Sequence, residues 1–331
     1  MTGVLLSRGF VARFGDRLNA ACAAAGLEPD VVHLPDDPRD ALDAAACGRI
    51  RIAYLTRDIR FSPLYETFGA AVTAAPRLEW VHFASAGIDQ HPFLAALRAR
   101  GVRLTTSSGT NAEPVAQTAI TGLLMLARRF PHWLAAQRDH RWAPMRGNAS
   151  PADVRGQTVL VVGVGAIGGA IARFCQAVGM HVIGMRRTPR QPGDPVDEMQ
   201  PGSALREVLP RCQWVVLACP LTDETRRMLN AETLALLPRG AHVVNVARGG
   251  CIDEPALVAA LCEGRLGGAY LDVFETEPLP AASPLWDLPN VIVSPHSAAV
   301  SDGNDKRAAD IFFGNIARWA RRDALENERS A

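Results

Sequence analysis

The chain has 331 residues, 48% of them hydrophobic, with a formal net charge of +1. That length predicts about two domains with sizeable cores, and the near-neutral balance gives no electrostatic reason to expect nucleic acid or an anionic membrane as a partner. No apolar run approaches the ~20 residues of a membrane helix. No basic-then-apolar leader precedes the first strand. The seven cysteines show neither C-x-x-C nor metal-finger spacing, which reads as reduced thiols in a cytoplasm and no metal site.

Strand and helix signals alternate from the start. Val4–Leu6, Val31–Leu34, Ile50–Leu55, Trp80–Phe83 and Val102–Thr105 predict short buried strands, separated by alanine-rich helical patterns such as Arg13–Ala25 and Phe93–Arg100. This describes a small α/β unit with a parallel sheet. An uninterrupted helical pattern covers Ala112–Arg129, and Trp142–Asp153, with Pro144, Gly147, Asn148, Ser150 and Pro151, reads as a loop. A second alternating series has strands at Thr158–Val162, Met180–Gly184, Trp214–Ala218, Ala241–Val246, Gly268–Phe274 and Val291–Ser294. Helical stretches at Ile167–Val178, Ser203–Leu209, Glu224–Leu229 and Glu254–Cys262 separate most of them. Six strands with crossover helices describe one doubly wound dinucleotide domain. The last helical pattern is Asn304–Arg321. The N-terminal unit has too few helices to cover its sheet, so this helix is expected to return to it. The expected organisation is a discontinuous domain, 1–105 plus 300–331, around a dinucleotide-binding domain, 106–299.

Gly163-Val164-Gly165-Ala166-Ile167-Gly168 is a G-x-G-x-x-G that follows a strand and opens a helix. Gly163 permits a tight turn, Gly165 lets the backbone approach a pyrophosphate, and Gly168 lets helix and strand pack closely. The free amides of the helix start face the dianion. An acidic residue at the end of the next strand would hold the ribose 2′-hydroxyl of NAD. Here that place reads Met185-Arg186-Arg187-Thr188. Two arginines and a threonine offer donors for a 2′-phosphate, so NADP(H) is the expected cofactor and NAD(H) the alternative. The competing reading leaves both arginines solvated, or one stacked on adenine.

Arg248, Glu277 and His296 each stand beyond an apolar run that reads as a strand. Ligands of open parallel sheets bind beyond the carboxyl ends of the strands. A guanidinium fork, a carboxylate and an imidazole are what holds and protonates a 2-keto acid as it accepts a hydride.

With these motifs in order, nearly the whole chain resembles the D-isomer-specific 2-hydroxyacid dehydrogenase family. Ser85-Ala86-Gly87-Ile88-Asp89, an ordinary turn on its residues alone, looks like the family's substrate-carboxylate loop. Asn111–Arg129 looks like its inter-domain helix, and Pro220-Leu221-Thr222 with Thr225 matches its pattern after the third cofactor-domain strand. Asn245-Val246-Ala247-Arg248-Gly249, Leu271-Asp272-Val273-Phe274 with Glu277-Pro278, and Ser294-Pro295-His296 carry its arginine, glutamate and histidine. The resemblance implies two Rossmann-like or flavodoxin-like parallel-sheet domains with the active site in the cleft between them, which close on the ligand, and a homodimer. It implies that Ser85, Ala86 and Gly87 bind the substrate carboxylate, largely through backbone amides. Arg248 would bridge carboxylate and carbonyl. His296 would exchange the proton, and Glu277 would hydrogen-bond its other ring nitrogen and favour the protonated ring. The implied cofactor contacts add Cys219, Pro220, Thr225, Val246, Ala247 and Ala298, with Asp272 on the nicotinamide carboxamide.

Two departures stand out: Arg186 replaces the usual acidic residue, and Gln117 stands where a glutamate is common. The arginines, with Trp142-Ala143-Pro144, look most like NADPH-preferring glyoxylate/hydroxypyruvate reductases. Trp133, Trp142 and Trp286, and the loop Arg57–Pro63, would shape a substrate pocket or a subunit contact. Rival readings are a D-lactate, phosphoglycerate or 2-ketogluconate type of the same family, or a non-catalytic dinucleotide-sensing protein.

Overall fold

A computed structural model describes residues 1–88, 90–147 and 150–329. Asp89 of the expected carboxylate loop and Asn148 of the expected Trp142–Asp153 loop lie outside the described residues. The chain divides into two compact units, Met1–Thr110 with Asp302–Ala331, and Asn111–Ser301.

The first unit opens with β1 (Thr2–Leu6), α1 (Arg8–Ala24), β2 (Pro29–His33), α2 (Ala44–Arg49), β3 (Ile50–Leu55), α3 (Arg57–Arg60), α4 (Leu64–Ala74), β4 (Trp80–Phe83), α5 (Leu94–Ala99) and β5 (Arg103–Thr106). These strands pair in parallel in the order β5-β4-β3-β1-β2. Every residue of β1 and β4 is buried, because helices cover both faces of a parallel sheet and leave no side for polar alternation. α1 starts where the Ser7 hydroxyl accepts the Phe10 amide at 2.9 Å, an N-cap that satisfies one orphan donor.

The second unit contains α6 (Ala112–Ala127), α7 (Phe130–Arg138), β6 (Thr158–Val162), α8 (Ala166–Ala177), β7 (His181–Met185), β8 (Glu198–Gln200), α9 (Leu205–Val208), β9 (Trp214–Leu217), α10 (Ala231–Leu236), β10 (Ala241–Asn245), α11 (Glu254–Cys262), β11 (Leu266–Leu271) and β12 (Val291–Val293). Its seven strands run in parallel in the order β12-β11-β10-β9-β6-β7-β8. The order reverses at β6, the switch point where a doubly wound sheet opens its binding crevice. Apolar cores lie on both faces of this sheet. Gly122 lets α6 lie on the sheet: a Cβ there would stand 2.3 Å from the Tyr270 ring of β11.

The chain then returns to the first unit through α12 (Asn304–Arg321) and β13 (Glu328–Arg329). α12 buries Ala308, Phe312, Ile316 and Trp319. Phe312 stacks on Tyr54 with ring centroids 4.7 Å apart, and Asp305 takes Arg13 of α1 at 2.6 Å. β13 pairs antiparallel with β5, where Arg103 grips Glu328 at 2.7 Å. The last helix thus packs against the first sheet.

Some expectations fail locally. Glu224–Leu229 is not a helix. The Thr225 hydroxyl accepts the Thr222 amide at 2.7 Å and donates to Pro220 O at 2.7 Å, Arg227 takes φ 49°, and Leu229 bridges to Ile252. Side-chain bonds to the local backbone have displaced helical ones. The pattern Ala112–Arg129 stops at Ala127 because Arg129 is left-handed, at φ 56°, and a separate helix, α7, follows. β8 and β13 carry no periodic signal and were not predicted.

Candidate active site

The glycine loop joins β6 to α8. Gly163 has φ 91°, and a Cβ there would lie 2.7 Å from Ala218 O; a Cβ on Gly168 would lie 1.8 Å from Gly163 O. Both glycines are therefore demanded by the fold. Gly165 is different: no atom lies within 4 Å of its absent Cβ. It is the N-cap of α8, and no side chain caps the helix. Uncapped amides of Ala166 and Ile167 below a bare Cα are a cradle that fits a dinucleotide pyrophosphate.

At the end of β7, Arg186 is not a solvated charge. Its fork grips Asp194 through Nη1–Oδ1 at 2.8 Å and Nη2–Oδ2 at 2.6 Å. Arg187 and Thr188 are exposed, and the Arg187 charge helps hold the Glu224 carboxyl below its usual range, after the Thr222 hydroxyl bond. Across the crevice, Cys219 is buried and Pro220 exposed, while the Thr225 hydroxyl is spent bracing its own turn.

Arg248, Glu277 and His296, the expected catalytic residues, belong to the second unit. Arg248 follows β10 and is exposed; Nη1 donates to Ala247 O at 2.6 Å. Its loop is set by Asn245, whose Oδ1 accepts the Ala247 amide at 3.0 Å and whose Nδ2 donates to Arg248 O at 3.1 Å. Gly249 lets this loop press against Phe274, whose carbonyl carbon would lie 1.9 Å from a Cβ. Val246 and Ala247 are buried beside it.

His296 Nδ1 meets Glu277 Oε2 at 2.7 Å, and Glu277 Oε1 accepts the Phe274 amide at 3.0 Å. Partial burial raises the Glu277 carboxyl, but the bonds from His296 and Phe274 outweigh it and hold it below the usual carboxylate range. The imidazole Nε2 has no hydrogen-bond partner among the described residues. The Glu277–Pro278 peptide is cis. A cavity of about 390 Å³ adjoins the pair, walled by Phe274, Leu279, Trp286, Val293 and Pro295.

His296 sits at φ 51°, unusual for a residue with a Cβ, and its amide donates to Asp272 O at 2.8 Å. The buried Asp272 carboxylate accepts Ser294 Oγ at 2.6 Å, Ser297 N at 2.8 Å and Ala298 N at 3.0 Å. Tyr270 OH backs Ser294 at 2.6 Å. Asp272 thus holds the segment that carries His296. Ala298 is 2% exposed, and its carbonyl takes Thr118 Oγ1 at 3.2 Å.

In the first unit, Ser85 Oγ donates to Gly87 O at 2.8 Å, and Arg329 Nη2 donates to Ala86 O at 3.2 Å. Ala86 and Gly87 are exposed, and their amides meet no acceptor among the described residues. Trp142 is 96% exposed and Trp286 51%.

Sequence reading missed Asp194 as the partner of Arg186, and Ser294 and Tyr270 as props of Asp272. Ser294 stands two residues before His296, a faint signal; Asp194 offered none, because nothing local links it to Arg186. Among the described residues no helix is long and apolar enough to cross a membrane, and no cluster of metal-ligating side chains occurs.

The family model described as D-isomer specific 2-hydroxyacid dehydrogenase, NAD binding domain, matches residues 120–298. A glyoxylate reductase of Korarchaeum cryptofilum is 34% identical over 261 residues, 77% of this chain and 76% of that one. A D-3-phosphoglycerate dehydrogenase of Methanocaldococcus jannaschii is 33% identical over 258 residues, 77% of this chain but 48% of that longer one. Among solved structures, a D-isomer specific 2-hydroxyacid dehydrogenase of Xanthobacter autotrophicus Py2, in complex with NADPH and MES, is similar with a TM-score of 0.71 and 32% identity. That match covers 99% of this chain and 98% of the other. With its two parallel-sheet α/β units, dinucleotide loop and histidine–glutamate pair, this chain belongs to the D-isomer-specific 2-hydroxyacid dehydrogenases, oxidoreductases that act on 2-hydroxy acids with NAD(P).

Proposed function

We propose that the protein is a 2-keto acid reductase of the glyoxylate/hydroxypyruvate kind, working with NADPH in preference to NADH and forming the D-2-hydroxy acid. The observation that carries the reading is the 2.7 Å bond between His296 Nδ1 and Glu277 Oε2, which leaves Nε2 as the proton-exchanging atom. The glyoxylate reductase relative supports the substrate class. The NADPH-bound Xanthobacter neighbour, and the exposed pair Arg187 and Thr188 beside Arg186, which stands where an acidic residue would serve NAD, support the cofactor.

Gly163, Gly165 and Gly168 shape the loop, and the amides of Ala166 and Ile167 hold the pyrophosphate. Arg187 and Thr188 take the 2′-phosphate; Cys219, Pro220, Val246 and Ala247 form walls of the cofactor site. When bound, the nicotinamide supplies the hydride. The amides of Ala86 and Gly87, with Ser85 shaping their turn, bind the substrate carboxylate. Arg248 places one arm of its fork on that carboxylate and the other on the carbonyl oxygen, where its charge stabilises the developing alkoxide. His296 Nε2 gives that oxygen its proton. Glu277 fixes the ring orientation and balances the imidazolium charge. The reading extends to a homodimer, by analogy within the family, and to the cytoplasm, in keeping with six of the seven free cysteines being buried.

The test is oxidation of NADPH and NADH, side by side, with glyoxylate, hydroxypyruvate, pyruvate and phenylpyruvate. Fastest turnover with NADPH and one of the first two acids is expected. A clear NADH preference, or a different best acid, sinks the corresponding half. A phosphoglycerate-type activity is the second reading, favoured by the Methanocaldococcus relative, and 3-phosphohydroxypyruvate belongs in the same panel.

A further inference from the structure

We propose that Asp194 sets the strength of cofactor discrimination by withdrawing Arg186 from 2′-phosphate recognition and leaving that task to Arg187 and Thr188. The inference rests on the NADPH reading above.

A guanidinium has five N–H donors in a fixed fork. In Arg186 all five are committed. Nε donates to Thr188 O at 3.1 Å. Nη1 donates to Asp194 Oδ1 at 2.8 Å and Val164 O at 3.4 Å. Nη2 donates to Asp194 Oδ2 at 2.6 Å and Pro189 O at 2.6 Å. The two side chains are only 16% and 12% exposed. Asp194 also accepts the Gln191 amide at 2.6 Å, closing the turn beyond β7. The arrangement is a clamp. It ties the end of β7 to Val164 of the glycine loop, and it is electrically neutral.

A phosphate dianion arriving at residues 186–188 therefore meets a saturated fork whose charge is cancelled by an adjacent carboxylate. The two terminal nitrogens of Arg190 are turned to Asp197 O at 3.2 Å and Val196 O at 2.8 Å. Arg187 is exposed and makes no hydrogen bond or close ion pair among the described residues; Thr188 beside it is exposed too. The doublet Arg186-Arg187 is thus divided: the first arginine is a strut and the second is the phosphate ligand. Asp194 is a positioning residue that acts through Arg186.

The test uses the purified full-length protein and isothermal titration with adenosine 2′,5′-bisphosphate and adenosine 5′-monophosphate, which differ only in the 2′-phosphate. The selectivity is the ratio of the two dissociation constants, weaker over tighter when the 2′-phosphate helps. Asp194→Asn keeps the size of the side chain and removes one negative charge. It is expected to raise selectivity for the 2′,5′-bisphosphate about fivefold at low salt, as a unit charge acting on a dianion through a water-like dielectric predicts, with 5′-monophosphate affinity unchanged. Asp194→Glu should return the ratio to that of the parent. Arg187→Ala should lower it by about tenfold or more. The NADPH-to-NADH ratio in kcat/KM should follow the same order.

A ratio that stays the same or falls in Asp194→Asn overturns the clamp, a fall meaning that the held fork itself contacts the phosphate. Equal weakening of both ligands also overturns it, because a merely structural residue would act that way. A parent ratio at or below one defeats the NADPH reading separately, since removing the Asp194 charge must raise the ratio from whatever value it starts.

Discussion

Replacing Asp272 by alanine tests whether His296 is held from below. The carboxylate is 3% exposed and accepts the amides of Ser297 at 2.8 Å and Ala298 at 3.0 Å as well as Ser294 Oγ at 2.6 Å. Ser294 keeps Tyr270 OH as a partner after the substitution, so its loss is small. The two amides do not recover partners, and each stranded donor costs about 1–3 kcal/mol. Allowing for water entering the space, the working figure is about 3 kcal/mol in the second unit. At roughly 2–4 °C per kcal/mol for a domain of this size, the melting midpoint should fall by roughly 6–12 °C. His296 keeps its own amide bond to Asp272 O but loses the anchors on its C-terminal side, and a displacement near 1 Å costs on the order of 10²-fold in kcat/KM. The assay is thermal melting by circular dichroism together with keto acid turnover well below the melting point. Asp272→Asn, which keeps one acceptor oxygen, should show about a third of the stability loss. A full loss of turnover at an unchanged midpoint would refute the strut and assign Asp272 to the cofactor itself, as the sequence reading did.

Three further outcomes follow from the same geometry. Arg248→Ala should lower kcat/KM by at least about 10²-fold with the melting midpoint unchanged, because its side chain is exposed and serves charge on the substrate; persistent activity contradicts the mechanism. Gly168→Ala, whose Cβ would stand 1.8 Å from Gly163 O, should cost about 2–3 kcal/mol in stability, whereas Gly165→Ala, with open space around it, should keep stability and lose dinucleotide affinity. Equal behaviour of the two in urea unfolding and titration would contradict the division between fold and ligand. The Glu277 carboxyl is depressed in the folded state, so its contribution to stability is present above the unfolded value near pH 4.3 and is lost as pH falls through the lower folded value. Glu277→Gln should therefore be less stable than the parent at pH 7, with the gap between urea midpoints closing at lower pH; a gap that widens in acid would reverse the sign.

Most of the elements were legible because their signal is local. Apolar runs of strand length, the glycine spacing Gly163, Gly165 and Gly168, and the helical pattern Asn304–Arg321 follow from period and turn chemistry within a few residues. The helix reading failed at Glu224–Leu229, where a hydroxyl three residues away took the backbone bonds, and at Arg129, where one left-handed residue broke a continuous apolar pattern. β8 and β13 were hidden because two or three residues of strand exist only where a neighbouring strand offers its edge.

The amino-acid sequence by itself determined which chemistry is present: an uncappable glycine cradle, two arginines in place of an acid, and an arginine, a glutamate and a histidine each at a strand end. Tertiary structure decided which of those groups are free to use that chemistry. Asp194, eight residues beyond Arg186, consumes its fork; Asp272, 24 residues before His296 in the chain, spends its carboxylate on the backbone around that histidine. Hydrogen-bonding capacity is finite, and only three-dimensional proximity determines which partner claims it.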